Sequence, residues 1–244
     1  MKTLFTGLKK ISMTAVLAAS LGVGVPAISQ ATPILPLSSV PVYPVLAYRF
    51  GGAGSYTFVN ASPAGIVSAN GSIGSVIFSF SGASKPPYGS EKSPKLHLNT
   101  YNFQSGSAGT SADVWLTETG FSPHGVTGAW TPVGLWTAYA GLNEGQVRFS
   151  SYADSSNSPF GTGLLLGGTS WLKGAVVGGS WYSAPTFDDT FSLTLRAQYK
   201  LPAHATSSAD QSISVPEPSI LGMVGLGLLM VGLMGLRFRQ ARYR

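Results

Sequence analysis

No cysteine occurs among the 244 residues, which excludes thiol catalysis, disulfide staples and cysteine-ligated metals. Charge is scarce as well, with Asp, Glu, Lys and Arg making up 10% of the chain. Histidine is limited to His97, His124 and His204. No His-Glu-x-x-His or other dense ligand set surrounds them, so neither a catalytic metal nor another cofactor is expected. No Gly-x-Ser-x-Gly elbow presents a serine nucleophile. Glycines fall singly between strand-like runs rather than at a strand-to-helix turn, so a phosphate-binding loop is absent. His97 alternates outward in a strand, His124 sits in a Pro/Gly turn, and His204 falls in a polar stretch; all three read as surface histidines.

Two carboxylate pairings remain. Asp113 and Glu118 are five apart on one strand, so their side chains point to opposite faces and cannot act as a glycosidase pair. Asp188-Asp189, with Asp154 or a carbonyl, has the chemistry of a calcium site. A turn before a strand, where aspartate bonds to nearby backbone, accounts for it more simply. No catalytic residue is expected, and the protein reads as a non-enzyme.

The net charge of +6 is distributed unevenly. Lys2, Lys9 and Lys10 lie at one end and Arg237, Arg239, Arg242 and Arg244 at the other. Between Thr32 and Ser219 eight basic residues face nine acidic ones. The overall basicity is thus no sign of nucleic-acid binding.

The middle of the chain has period two. Phe191, Leu193, Leu195, Ala197 and Tyr199 alternate with polar residues, as in an antiparallel strand buried on one face. Shorter β-forming runs occur at residues 56–59, 75–80, 95–103, 112–119, 135–140, 146–152 and 162–166, with a hairpin at 170–181. In the run 95–103, Leu96 and Leu98 occupy one parity and Tyr101 and Phe103 the other, which predicts a bulge near Asn99. No stretch of residues 32–214 carries a 3.6-residue stripe. Thirty-one glycines and 16 prolines fit many turns. The expected fold is all-β: an antiparallel, jelly-roll-like β-sandwich over residues 32–202. Residues 203–214, polar and small, read as a flexible linker.

Both ends read as targeting segments. Residues 1–31 combine a lysine-bearing start, an apolar run at 11–25 and Ser29-Gln30-Ala31 as a small-x-small cleavage site. That reads as a secretory signal peptide cut after Ala31, with cleavage after Ala27 as the alternative, handled by the Sec translocon and signal peptidase. At the other end, Val215-Pro216-Glu217-Pro218 cannot be helical, because each proline fixes φ and lacks an N–H. An uncharged run at 220–236 follows, at the short end of the roughly 17–25 residues that span a bilayer. Arg237, Arg239, Arg242 and Arg244 then favour a cytoplasmic C-terminus.

Val-Pro-Glu-Pro-Ser, a short Gly/Leu/Met-rich helix and a terminal arginine cluster, at 215–244, resemble the PEP-CTERM sorting signal of Gram-negative bacteria. The resemblance implies export, transient single-pass anchoring in the inner membrane and processing by an exosortase. Delivery to the cell surface or an exopolysaccharide matrix would follow. Pro216, Glu217 and Pro218 carry over as recognition residues. The run Leu116-Thr117-Glu118-Thr119-Gly120-Phe121 is similar to one found in PEP-CTERM ectodomains of unknown role and implies a sandwich but no activity.

Trp115, Trp130, Trp136, Trp171 and Trp181 all lie in the sandwich region. Exposed, they would form a saccharide platform; buried, they are core. The sequence thus favours an exported structural surface protein, with a carbohydrate-binding or adhesive module as the alternative.

Overall fold

The computed structural model describes residues 44–52, 54–85, 88–91, 94–122, 133–183, 189–214 and 227–230, with the backbone alone for 133–134 and 176–183. Contacts divide the chain into Met1–Gln30 and Ala31–Arg244. The expected signal peptide, the Pro-Glu-Pro motif and the terminal arginines lie outside the described residues. Of the expected membrane span, residues 227–230 are described, as helix. Among the described residues no helix is long and apolar enough to cross a membrane.

Twelve strands form two six-stranded sheets. In the first, the order is β2 (Thr57–Asn60), β1 (Val45–Phe50), β6 (Thr110–Phe121), β11 (Phe191–Leu201), β8 (Gln146–Asp154) and β9 (Leu164–Gly168). The second runs β10 (Val176–Ser183), β7 (Val133–Leu142), β12 (Thr206–Ser214), β5 (Lys95–Gln104), β4 (Val76–Ala83) and β3 (Ile66–Ile73). All neighbouring strands are antiparallel. The expected all-β, two-sheet antiparallel architecture is therefore present.

Period-two burial builds the interior. Leu193, Leu195, Ala197 and Tyr199 of β11 and Val114 and Leu116 of β6 face Leu96, Leu98 and Phe103 of β5 and Ile213 of β12 in one core. Tyr48, Phe50, Phe78, Phe80 and Phe103 form a chain of rings 5.0–6.2 Å apart between the sheets. Two buried hydrogen bonds cross the interior. The Tyr199 and Thr100 hydroxyls lie 2.8 Å apart, and Gln211 Nε2 donates to the Ser150 carbonyl at 2.8 Å. Burial raises the Tyr199 phenol pKa, with only the Thr100 bond opposing it. At Gly82 the sheets approach so closely that a Cβ would strike Leu116.

Two expectations need correction. The larger concerns residues 203–214, where a flexible linker was expected. Thr206–Ser214 is strand β12, hydrogen-bonded on both sides in the middle of the second sheet. Ser207, Ala209, Gln211 and Ile213 point inward and Ser208, Asp210 and Ser212 outward. The alternation is genuine, but its buried members are small or polar and mimic a linker composition. The folded body thus runs through Ser214, immediately before the Pro-Glu-Pro motif. Second, residues 170–181 do not form a hairpin. Leu172 bridges Val147 of β8, while β10 pairs with β7 across the molecule. The bulge expected near Asn99 is present, at Tyr101, where β5 gains one residue against both β4 and β12.

Candidate functional site

The outer face of the second sheet is polar around β12. Antiparallel pairing places Tyr139, Asp210, Asn99 and Ser81 in one rung across β7, β12, β5 and β4. The adjoining rung carries Thr137, Ser212 and His97. Asp210 Oδ2 accepts from Asn99 Nδ2 at 3.1 Å and lies 2.6 Å from His97 Nε2. Among the described residues Oδ1 has no such partner and is available as an acceptor. The Thr137 and Ser212 hydroxyls are 2.8 Å apart, and Ser79 donates to Asn70 Oδ1 at 2.6 Å. Tyr88 packs its ring 5.4 Å from the His97 ring and holds the imidazole in place.

Two aromatic rings stand beside this network. Tyr139 is 52% and Tyr101 67% exposed. The bulge accounts for the exposure of Tyr101: the inserted residue turns outward where Thr100 and Phe103 stay buried. The two tyrosines flank β12 on either side, about two strand spacings or roughly 10 Å apart. Planar amides, a carboxylate with a free oxygen, hydroxyls and exposed rings can grip a polyhydroxylated ligand by stacking and by hydrogen bonds.

Trp115 and Trp136 do not form that surface. Trp115 is 1% and Trp136 2% exposed, so of the two readings open for them both are core, and neither belongs to a saccharide platform. Trp171 is half-buried. Trp181 is described only by its backbone pairing with Leu135, and Trp130 lies outside the described residues. Among the described side chains, the exposed aromatic residues on the open face are Tyr101 and Tyr139, which the sequence did not single out.

Trp115 belongs to a second, smaller core on the outer face of the first sheet, with Val45, Ala47, Tyr152 and Phe160. Arg196 lies 4.2 Å above the Trp115 ring and donates through Nε and Nη2 to the two carboxyl oxygens of Asp113, each at 2.8 Å. Tyr56 donates to the same carboxylate at 2.6 Å. Burial raises the Asp113 pKa, but Arg196 and Tyr56 outweigh it, so the carboxyl lies below the ordinary aspartate value. Burial, with the Asp113 hydrogen bond, pushes the Tyr56 phenol up to about 12. The set is closed on itself and holds strands β1, β6 and β11 together.

Glu118, on the opposite face of β6, is fully buried between the sheets. Asp113 and Glu118 therefore point apart, as their spacing requires. Among the described residues neither Glu118 oxygen makes a hydrogen bond of normal geometry. Burial raises its pKa to about 8, with Lys85 and Ser84 pulling the other way. Lys85 donates to the Gly120 carbonyl at 2.7 Å and lies 4.6 Å over the Phe121 ring.

The remaining sequence candidates fall elsewhere. Asp154 accepts from the backbone and hydroxyl of Ser156 within its own turn; Asp189 is exposed, and Asp188 lies outside the described residues. Among the described residues no group of three or more acidic or histidine side chains is placed to hold a metal ion. His204 occupies the left-handed turn before β12, with φ 59°, and His124 lies outside the described residues.

No family model and no curated protein matches this chain. Solved structures with similarity include the C-terminal CBM6 of LamC, a marine laminarinase from Zobellia galactanivorans. It has 11% identity and a TM-score of 0.24, over 48% of this chain and 78% of that one. TmCBM61, solved with β-1,4-galactotriose, has 8% identity and a TM-score of 0.30, over 57% and 88%. TmCBM27, described for mannan recognition, has 11% identity and a TM-score of 0.28, over 61% and 88%.

Proposed function

We propose that this protein is a non-catalytic saccharide-binding module that takes a neutral polysaccharide on the outer face of its second sheet. The observation that carries the reading is the pair of exposed rings, Tyr101 and Tyr139, beside the Asp210–Asn99–His97 network. A pyranose presents apolar C–H faces and a rim of hydroxyls. Tyrosine rings suit the first, and carboxylate, amide and hydroxyl groups suit the second. The central strands are an extended support with one orientation, so side chains on them are held more firmly than on loops. Charge on the face is limited, which fits an uncharged ligand.

The delivery route is part of the same proposal and rests on the sequence of the two ends. The chain is exported through the Sec translocon, is held in the inner membrane by residues 220–236, and is processed by an exosortase at the Pro-Glu-Pro motif. In that scheme the module reaches the surface and meets exopolysaccharide there. Mass spectrometry of the mature protein from exosortase-competent cells tests the route: a product retaining residues 220–244 refutes processing. Binding is tested separately, by screening the full chain in mild detergent against neutral glucans, mannans and galactans. The expected result is binding that Tyr101→Ala/Tyr139→Ala reduces, with folding intact. Equal binding by protein and variant removes the face from the account.

A further inference from the structure

The first sheet has a different outer surface. Although the body carries nearly balanced charge, Arg49, Arg148, Lys173, Arg196 and Lys200, five of its eight basic residues, stand on this one side. Asp113 neutralises Arg196 and partners Arg49. The other three have no carboxylate within ion-pair distance among the described residues. They converge because of the strand register: Lys200 of β11 is paired with Gln146 of β8, and the bridge of Leu172 to Val147 sets Trp171 and Lys173 along the far side of Arg148 and Gln146.

The geometry of this cluster is that of a receptive groove. Lys200 Nζ lies 4.3 Å and the Arg148 guanidinium 5.2 Å from the Trp171 ring centre. Arg148 donates from Nε to Gln198 Oε1 at 2.9 Å, so a neutral amide orients it rather than a counter-ion. Burial, with the neighbouring Arg196 charge, lowers its pKa, and Tyr152 and Asp113 oppose this without cancelling it. Lys173 and Lys200 line an open groove with Asn143, Glu144, Gln146 and Pro202, so one carboxylate stands among its cations. The turn at its end is pinned at Gly145, with φ 99° and no room for a Cβ against the Lys200 carbonyl.

We propose that this groove, together with Arg148 and Trp171 beside Lys200 at its side, binds an acidic polysaccharide, through Arg148, Lys173 and Lys200 to its anionic groups and through Trp171, Asn143 and Gln146 to the sugar rings and hydroxyls. The large apolar side chains exposed among the described residues all lie elsewhere, so the groove has nothing with which to enter a lipid layer. An aromatic ring and amides beside the cations match a saccharide better. The site is separate from the tyrosine face, so the two can fail independently.

The test is retention of the full chain, in mild detergent, by polygalacturonate and by dextran sulfate in affinity electrophoresis. Both are compared with a neutral glucan and with phosphatidylglycerol vesicles. At low salt, where the Debye length is about 30 Å, at least one acidic polymer retains the protein; at 1 M, where it is about 3 Å, retention is lost. Lys173→Gln/Lys200→Gln, at exposed positions, weakens retention about tenfold, while Tyr101→Ala/Tyr139→Ala leaves it unchanged. Circular dichroism and buried-tryptophan fluorescence confirm that the variants fold. Retention by neither acidic polymer, retention unaffected by the lysine substitutions, or binding to the anionic vesicles alone overturns the proposal.

Discussion

Replacing Glu118 by Gln removes the titration of a buried carboxyl while keeping its shape, and the structure predicts an unusual consequence. Glu118 is 0% exposed, and burial raises its pKa to about 8 against 4.5 for an ordinary glutamate. Between those values the folded protein holds a proton that the unfolded chain releases, so stability must fall as pH rises. At 1.36 kcal/mol per unit, the loss is on the order of 3–5 kcal/mol between pH 4.5 and pH 8. Lys85 opposes the shift without cancelling it, since burial lowers its own pKa. Urea unfolding at pH 5, 7 and 8.5, followed by the fluorescence of buried Trp115 and Trp136, reads the effect. Glu118→Gln is expected to match the parent protein near pH 5, to exceed its stability by several kcal/mol near pH 8.5, and to flatten the profile between. Parallel profiles for the two proteins would show that Glu118 ionises freely, and the buried-acid reasoning would be wrong.

Other consequences follow from the same physics. Asp113→Asn leaves the Arg196 guanidinium buried without its anion and is expected to cost about 3–5 kcal/mol in unfolding free energy. Because the Asp113 pKa is depressed, its contribution is present above about pH 4 and disappears as pH falls through the folded value. The Asp113→Asn profile should therefore be flatter than the parent's on the acid side, as read by thermal unfolding. A chain ending at Pro202 loses central strand β12 and exposes the edges of β5 and β7. Circular dichroism and hydrogen exchange should show loss of cooperative folding, whereas a chain ending at Ser214 stays folded. Gly82→Ala pushes a methyl group into Leu116 and should lower stability by roughly 1–3 kcal/mol.

The architecture was legible where burial is made of large apolar residues. The alternation of Phe191, Leu193, Leu195, Ala197 and Tyr199 announces β11 because its inward positions are unlike its outward ones. Strand β12 hides the same pattern, since Ser207, Ala209 and Gln211 fill the interior: two are small, and Gln211 satisfies its amide on a carbonyl of the other sheet. Strand β3 escapes for a related reason, with only Val67 and Ala69 buried along Ile66–Ile73. The candidate site was lost with β12. Asp210 belonged to a supposed linker, so its meeting with His97 and Asn99, more than 100 residues away, had no basis in local sequence. Tyr101 left a trace, the parity change in 95–103, but that signal marks a bulge without showing which residue turns outward. The tryptophans drew attention by their size, which is the property that places Trp115 and Trp136 in the core.

The central claim is that the exposed face of the second sheet binds saccharide, and titration calorimetry of the full chain in mild detergent tests it most directly. The ligands are the neutral polysaccharides it retains in a screen, and the comparison is with Tyr101→Ala/Tyr139→Ala. Both substitutions lie on exposed side chains and should change stability by no more than about 0.5 kcal/mol. The account predicts saturable binding by the parent protein and a loss of at least tenfold in the variant, with the same melting temperature. Binding of equal strength in both proteins, or no binding to any neutral polysaccharide tested, would contradict it.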